Sequence, residues 1–248
     1  MNVYDLRAAA ALSDAAYYNQ ASEMDERIAP FGWSLHDDIN RGSNRALICY
    51  NDILKAVAVV FRGSTTRQNW LVNLDARAVR GVHRGFSEAY DELNHEVAAR
   101  LEVLLEHGEY RTILVTGHSL GGALACLCAF GLRDPHRLDV RVITFGQPRV
   151  GDYGWARMYD VFVPNTVRVV HDLDDVPLLP GYPFKHIGRL LHLNSQGVPL
   201  APPGRWWRRL LQWVRGVLAY PKSGLTDHLL PSYINSIKKV NPSWSTND

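Results

Sequence analysis

A glycine-bounded turn joins a strand pattern to a helix pattern near the middle of this 248-residue chain. Ile113 to Thr116 is apolar enough for a buried strand, and Gly117-His118-Ser119-Leu120-Gly121 leads from it into an apolar helix pattern. A G-x-S-x-G string is weak evidence by itself. Between a strand and a helix it predicts a nucleophile elbow, because glycines are needed where a strained serine brings the two elements close together. We therefore expect the Ser119 hydroxyl at a helix N-terminus, where backbone N–H groups can stabilise an oxyanion.

The rest of the chain alternates between strand-like and helix-like periods, which is typical of α/β layer folds. Strands are predicted at 46–50, 55–61, 112–116, 140–145, 166–171 and 187–193, and helices at 87–106, 120–132 and 228–237. The strands are rich in Val, Ile and Leu, so we predict a mostly parallel central sheet buried between flanking helices. One core suffices for residues 1–248, of which 46% are hydrophobic, so a single domain is expected.

Composition argues against several classes of protein. The 27 lysines and arginines nearly balance 25 acidic residues, and a formal charge of +2 argues against a dedicated nucleic-acid binder. Cys49, Cys126 and Cys128 are too few for a disulfide framework and are interpreted as buried free thiols.

Apolar runs such as Ala56 to Phe61 are far shorter than the roughly 18 residues of a membrane span. Polar residues interrupt the first apolar stretch, so a helix is predicted there in place of a secretory signal. A cytoplasmic or membrane-peripheral protein is expected, with secretion by another route left open.

A serine nucleophile needs a general base, and that base needs an acid that fixes its tautomer. After an elbow of this type the chain order is serine, acid, histidine. Of the ten histidines, His186, His192 and His228 follow the acidic segment 171–177. His228 is favoured because it lies at a loop-to-helix junction, where mobile catalytic groups are common. His192 lies within a strand pattern, His186 is assigned a structural hydrogen bond, and His118 is expected to point away from the neighbouring hydroxyl.

Asp174 is the favoured acid. It comes just after a predicted strand and three residues before Pro177, which prevents a helix there. Asp172 and Asp175 are the competitors.

A second oxyanion donor is expected where an earlier strand runs into a loop. The strand over 55–61 leads into Arg62 and Gly63, and Ser64 follows. The backbone N–H of Ser64 would pair with that of Leu120, and each donor would contribute about 3–4 kcal/mol to transition-state stabilisation.

These residues resemble the class 3 (filamentous-fungal type) lipases, which are α/β-hydrolases acting on acylglycerols. The similarity covers roughly residues 46–194 and the closing helix. The motifs that carry it are Val60-Phe61-Arg62-Gly63-Ser64, Gly81-Val82-His83-Arg84-Gly85-Phe86, Thr116-Gly117-His118-Ser119-Leu120-Gly121-Gly122-Ala123, Phe145-Gly146-Gln147-Pro148-Arg149-Val150-Gly151, Asp174-Asp175-Val176-Pro177 and Asp227-His228-Leu229. The resemblance implies an α/β-hydrolase fold, and the insertion or cap before the last helix is a departure from the family pattern. It implies the nucleophile Ser119, the acid Asp174, the base His228, and an oxyanion hole at Ser64 and Leu120.

The same resemblance places a short amphipathic lid at 66–74, with Asn69, Trp70 and Leu71. In such enzymes the lid opens on a lipid surface and exposes an apolar groove. A packed surface helix with Trp70 in the core is the alternative. Secreted fungal members carry signal peptides and disulfides, and this chain shows neither, which indicates an intracellular or differently exported enzyme.

A basic segment at 195–225 is interpreted as an insertion or cap within the domain. Between residues 175 and 227 there are seven cations and no acid, which leaves −5 for the rest of the chain. If 205–220 is a helix, its tryptophans fall on one apolar face opposite its arginines, as in helices that bind anionic lipid surfaces. Packing of that face on the core is the alternative. The tryptophans are Trp206, Trp207 and Trp213.

These observations predict a serine ester hydrolase acting on acylglycerols or other lipid esters through an acyl-enzyme, with no cofactor and no metal. A phospholipase A1, or a short-chain or feruloyl-type carboxylesterase, would use the same residues, because pocket shape sets the substrate. A non-catalytic membrane-docking module is the alternative from another class, and the intact motifs argue against it. The expected partners are the ester substrate and, through peripheral contact, a lipid surface.

Overall fold

The computed structural model describes residues 1–64, 77–106, 109–132, 138–200 and 226–245. Two sets of predicted functional residues lie outside these ranges. They are the lid residues Asn69, Trp70 and Leu71, and the tryptophans Trp206, Trp207 and Trp213 of the basic segment. The lid and the lipid contact of the basic segment therefore stay predictions. The extent of the single domain and of its insertion also stays a prediction.

The described part of the chain contains short strands joined by helices and loops. The strands are β1 (Ser34–Arg41), β2 (Asn44–Asn51), β3 (Ala56–Phe61), β4 (Ala78–Val79), β5 (Val82–His83), β6 (Thr112–His118), β7 (Asp139–Phe145), β8 (Gly151–Asp152), β9 (Thr166–His171), β10 (Phe184–Lys185) and β11 (Arg189–Leu193). The helices are α1 (Val3–Ala15), α2 (Ala21–Ile28), α3 (Arg84–Asp91), α4 (Asn94–Leu105), α5 (Leu120–Gly131), α6 (Tyr153–Phe162) and α7 (Leu230–Lys239).

Seven strands form the central sheet in the order β1-β2-β3-β6-β7-β9-β11. The first three pair antiparallel, and every pairing from β3 to β11 is parallel. All residues of β3 and β9 are buried, as expected for apolar strands covered on both faces. The prediction of a mostly parallel, buried sheet is confirmed. A smaller antiparallel sheet of four two-residue strands, β10-β8-β5-β4, lies apart from it.

The alternation of side chains along each strand divides the core between the two faces of the central sheet. Ala58 and Val60 pack with α1, α2 and α7 on one face, whereas Val57 and Val59 pack with α3 to α6 on the other. Cys49 belongs to the first core, and Cys126 and Cys128 belong to the second. All three are free and buried, as predicted. Among the described helices none is long and apolar enough to cross a membrane.

The structure corrects two helix predictions. The helix predicted at 87–106 is two helices, α3 and α4, because the chain turns between them and buries Leu93 completely. The helix predicted to open at His228 begins at Leu230, with a proline in its first turn. His228 therefore lies in the turn before α7, and its backbone is outside the helical hydrogen-bond ladder.

The described start of the basic segment returns along the edge of the central sheet. Leu193 pairs with Pro199, and the Leu200 N–H donates to the His192 carbonyl at 2.7 Å. Residues 194–200 therefore form a turn on the last strand, β11.

Candidate active site

Ser119 lies in a sharp turn between β6 and α5. Its backbone has φ 58° and ψ −125°, a strained conformation for a residue with a side chain. Ser119 N–H donates to the Phe145 carbonyl of β7 at 2.9 Å, which holds the turn against the sheet. The flanking glycines are required by close approach: a Cβ on Gly121 would lie 2.1 Å from the Phe61 carbonyl oxygen, and one on Gly117 2.4 Å from that of Gly121. The local geometry is that of a nucleophile elbow.

The fold brings Ser119, His228 and Asp174 into one chain of hydrogen bonds. Ser119 Oγ lies 2.8 Å from His228 Nε2, and His228 Nδ1 lies 2.8 Å from Asp174 Oδ2. Each of the three residues is at most 5% exposed. Asp174 follows β9 and His228 precedes α7, so three segments distant in sequence meet at the carboxyl ends of parallel strands. This arrangement can take the serine proton onto Nε2 while Nδ1 remains bonded to a carboxylate.

The Asp174 carboxylate accepts from three donors. Val176 N–H donates to Oδ1 at 2.9 Å, and Oδ2 accepts from both His228 Nδ1 and the hydroxyl of Tyr233. Tyr233 is buried in α7, and burial together with the nearby Asp174 charge raises the pKa of its hydroxyl well above the usual range. The phenol therefore stays protonated and remains a donor. Sequence reasoning missed Tyr233; the available signal was a tyrosine on the inner face of the predicted closing helix.

The two competitor acids lie in the same acidic loop but make other contacts. The Asp172 carbonyl oxygen accepts from His192 Nε2 at 2.8 Å, which gives His192 a structural role on β11. Burial, and then repulsion from Asp174, raises the pKa of the Asp175 carboxyl. Burial also raises the pKa of the carboxyl of Asp227, the residue before His228, although nearby His171 opposes the shift.

The predicted oxyanion residues lie on either side of Ser119. Leu120 is the first residue of α5, so the helix does not use its backbone N–H internally. On the other side, a Cβ on Gly63 would lie 3.3 Å from Ser119 Cβ and 2.6 Å from the His118 carbonyl oxygen. The chain that carries Ser64 therefore passes directly beside the nucleophile. The oxyanion role of both residues stays a prediction.

The ring of His118 is hydrogen-bonded to groups other than the nucleophile, unlike that of His228. Its ring contacts the Tyr17 hydroxyl and the His228 carbonyl oxygen, so its nitrogens are turned away from Ser119 Oγ. His186 lies between β10 and β11.

Among the residues that the structure describes, no group of three His, Cys, Asp or Glu side chains is arranged to hold a metal ion.

Replacing Gly146 by alanine is expected to lower kcat by on the order of 10²-fold, the cost of moving a catalytic group by about 1 Å. Gly146 has φ +58°, and a Cβ there would lie 2.9 Å from both Asp174 Oδ2 and His228 Nδ1. The methyl group would displace the two side chains from each other. The matched control is Gly181→Ala, where a Cβ meets nothing within 4 Å. Steady-state kinetics and thermal denaturation of both variants check this, and equal kcat values would contradict it.

A strained serine between a strand and a helix, hydrogen-bonded to a histidine that is itself hydrogen-bonded to an aspartate, on a mostly parallel sheet, defines the class of α/β-hydrolases with a serine nucleophile. The family model described as Lipase (class 3) matches residues 58–184, about half of the chain. The chain belongs to the class 3 lipase family, and the resemblance found in the sequence motifs is confirmed.

Individual relatives agree with this assignment. A lipase of Caenorhabditis elegans is 40% identical over 147 residues, which cover 54% of this chain and 40% of that protein. A lipase of Rhizomucor miehei is 36% identical over 158 residues, covering 58% of this chain and 43% of the relative. The solved structure of the Rhizomucor miehei triacylglyceride lipase matches with a TM-score of 0.74 and 25% identity, over 94% of this chain and 95% of that one. The alignments span about four tenths of the length of the two curated relatives.

Proposed function

We propose that this chain is a serine ester hydrolase that acts on acylglycerols. The observation that carries the proposal is the unbroken chain of hydrogen bonds from Ser119 Oγ through His228 to Asp174. It supplies a nucleophile, a base within reach of the nucleophile's proton, and a carboxylate that orients the base.

In the proposed reaction, Ser119 Oγ attacks the ester carbonyl carbon while His228 Nε2 takes the hydroxyl proton. The carbonyl oxygen becomes an oxyanion, which the backbone N–H groups of Ser64 and Leu120 stabilise. As the C–O bond breaks, His228 returns the proton to the leaving alcohol, and the acyl group remains on Ser119. Water then attacks the acyl-enzyme while His228 Nε2 takes its proton, and His228 returns that proton to Ser119 Oγ as the bond between Oγ and the acyl carbon breaks and the carboxylic acid leaves. Asp174 keeps the Nδ1 proton in place throughout.

Acylglycerols are the proposed substrates because the family is that of class 3 lipases and a structural neighbour is a triacylglyceride lipase. We propose that contact with the lipid surface involves the lid residues Asn69, Trp70 and Leu71 and the apolar face of the basic segment. For the lid residues the support is the resemblance to class 3 lipases, and for the basic segment it is the sequence pattern of aromatic residues beside cations. The cytoplasmic or membrane-peripheral location stays a prediction.

A substrate series tests the proposal. Active sites are first counted with an alkyl phosphonate p-nitrophenyl ester, which is expected to bond to Ser119 Oγ and release one p-nitrophenolate per chain. Turnover per titrated site is then measured on tributyrin and trioctanoin below and above their solubility limits, on p-nitrophenyl acetate, and on phosphatidylcholine vesicles. We expect the triacylglycerols to be hydrolysed fastest, with a rise in rate once an oil–water interface forms.

The other outcomes are distinct. Labelling of a residue other than Ser119, measured by mass spectrometry of peptides, would overturn the proposed chemistry. Labelling of Ser119 with preferential release of the sn-1 fatty acid from phosphatidylcholine would make the protein a phospholipase A1. Labelling with hydrolysis of p-nitrophenyl acetate alone would make it a short-chain carboxylesterase. Denatured protein, which has lost the hydrogen-bond chain, is the control and should not be labelled.

A further inference from the structure

His118 precedes the nucleophile, and both of its ring nitrogens are engaged away from it. Nδ1 lies 2.9 Å from the Tyr17 hydroxyl, and Nε2 lies 2.7 Å from the backbone carbonyl oxygen of His228. The rings of His118 and His228 also face each other, with centroids 4.7 Å apart and an angle of 33° between their planes. His118 is 2% exposed. It is therefore a buried contact to the backbone of the residue assigned as the base.

The partners of His118 assign its tautomer. A carbonyl oxygen can only accept, so the hydrogen bond to His228 requires a proton on His118 Nε2. In the neutral ring Nδ1 is then the acceptor, and the Tyr17 hydroxyl donates to it. Removing the Tyr17 hydroxyl would leave a buried acceptor without this donor. It would also remove the bond that favours the Nε2–H form, the form that holds His228.

Tyr17 comes from the N-terminal part of the chain, which precedes the region matched by the family model. It follows α1, and its N–H donates to the Asp14 carbonyl at 3.0 Å. A Cβ on Gly63 would lie 2.4 Å from the Tyr17 hydroxyl oxygen, so this hydroxyl fits against the segment that leads to Ser64. One tyrosine thus connects α1, the segment after β3 and the elbow histidine.

We propose that Tyr17 and His118 form a positioning couple, which holds the turn that carries His228 at hydrogen-bonding distance from Ser119. The proposal rests on the proposed function, since it assigns the couple a role in the same reaction. His228 lies before α7, so its backbone is not held by the helix, and its carbonyl oxygen is held by His118. During turnover His228 Nε2 takes and returns a proton, and this requires its distance from Ser119 Oγ to stay near 2.8 Å. Neither member of the couple touches the reacting atoms in this scheme.

Three single variants and one double variant test the couple. Tyr17→Phe removes one hydroxyl, His118→Leu removes both ring nitrogens, and His118→Gln places an amide N–H₂ near the position of Nε2. The matched control is Tyr4→Phe, which removes a hydroxyl from α1, the helix that Tyr17 follows; the Tyr4 hydroxyl donates to the Phe31 carbonyl at 2.8 Å. Steady-state kinetics on soluble p-nitrophenyl butyrate separate kcat from KM. Thermal denaturation reports stability.

We expect Tyr17→Phe to lower kcat about fivefold, the rate equivalent of one neutral hydrogen bond. His118→Leu should lower it on the order of 10²-fold, the cost of a misplaced catalytic group. KM should change less than twofold in both. His118→Gln should recover at least tenfold of the loss in His118→Leu, although all His118 variants lose the ring contact. Adding Tyr17→Phe to His118→Leu should have no further effect, because the tyrosine acts through the histidine.

Several results would overturn the proposal. One is a kcat of Tyr17→Phe equal to that of Tyr4→Phe. Another is equal kcat for the Gln and Leu variants at position 118, and a third is multiplication of the two single effects in the double variant. If His118→Leu does not fold, Tyr17→Phe and His118→Gln still decide the matter. Failure of the proposed function would be recognised separately, by a Ser119→Ala variant that keeps its activity in the same assay.

Discussion

Replacing Ser119 by alanine is expected to lower kcat for ester hydrolysis by on the order of 10⁶-fold, as for the loss of the nucleophile from a serine-protease triad. The variant loses the oxygen that forms the acyl-enzyme, and His228 Nε2 loses its partner at 2.8 Å. Alanine, like serine, carries a Cβ, so the substitution adds no further strain to the backbone of the elbow. Residual activity would come from water attacking substrate held against the oxyanion donors. Titration of hydrolysis with a pH-stat, at high enzyme concentration, measures a loss of this size.

The matched control is Ser13→Ala. Ser13 is also fully buried, and its hydroxyl lies 3.0 Å from Thr116 Oγ1 on β6, so the control loses a buried hydroxyl contact without touching the reacting atoms. We expect a loss of about 1 kcal/mol in unfolding free energy and a kcat within a factor of two of the unmodified protein. A Ser119→Ala protein that retains more than 1% of the activity, with the thermal stability of the unmodified protein, would exclude Ser119 as the nucleophile.

The sequence predicts those parts of the fold and site whose signals are local. β3 is a continuous apolar run, β6 has Ile113 to Val115 at its centre and β9 contains three valines, and the structure places each strand within two residues of its predicted bounds. The sequence places Ser119 in a glycine-bounded turn directly after a strand and Asp174 three residues after another, and the carboxyl ends of parallel strands lie at the same edge of a sheet. The family motifs carry the same information.

The remaining features depend on contacts between distant segments. β1 is an edge strand of mostly polar residues, in which Ile39 is the buried position, so it has no apolar run to detect. The hydrogen bond between Tyr17 and His118 joins residues 101 positions apart, and the local sequence around either residue does not indicate this contact. Gly146 is needed because the side chains of Asp174 and His228 lie against it in the fold. The residues next to Gly146 in sequence give no sign of this contact.

Replacing Asp174 by asparagine is expected to lower kcat about 10⁴-fold, the effect of a reversed histidine tautomer in a serine triad. Three donors converge on this side chain, one on Oδ1 and two on Oδ2. An amide has one oxygen, which cannot serve both positions. With its oxygen toward Val176 N–H, the amide N–H₂ can donate to His228 Nδ1 and to the Tyr233 oxygen, and every buried group on the asparagine is satisfied. The opposite orientation sets the amide N–H₂ against Val176 N–H. The first orientation therefore prevails, and it places the imidazole proton on Nε2, where a lone pair is needed to accept the Ser119 proton.

Asp175→Asn is the control, because it makes the same chemical change one residue away. Asp175 is exposed, yet partial desolvation and the Asp174 charge raise the pKa of its carboxyl, so neutralising it removes a charge that its surroundings disfavour. We expect kcat of this variant to stay within fivefold of the unmodified protein. Rates of phosphonate labelling at Ser119 should fall in Asp174→Asn in proportion to kcat, since both reactions require the same proton acceptor. Similar kcat values for the two asparagine variants would show that His228 keeps its tautomer without the carboxylate. The hydrogen bond from His118 to the His228 backbone would then have to orient the base alone.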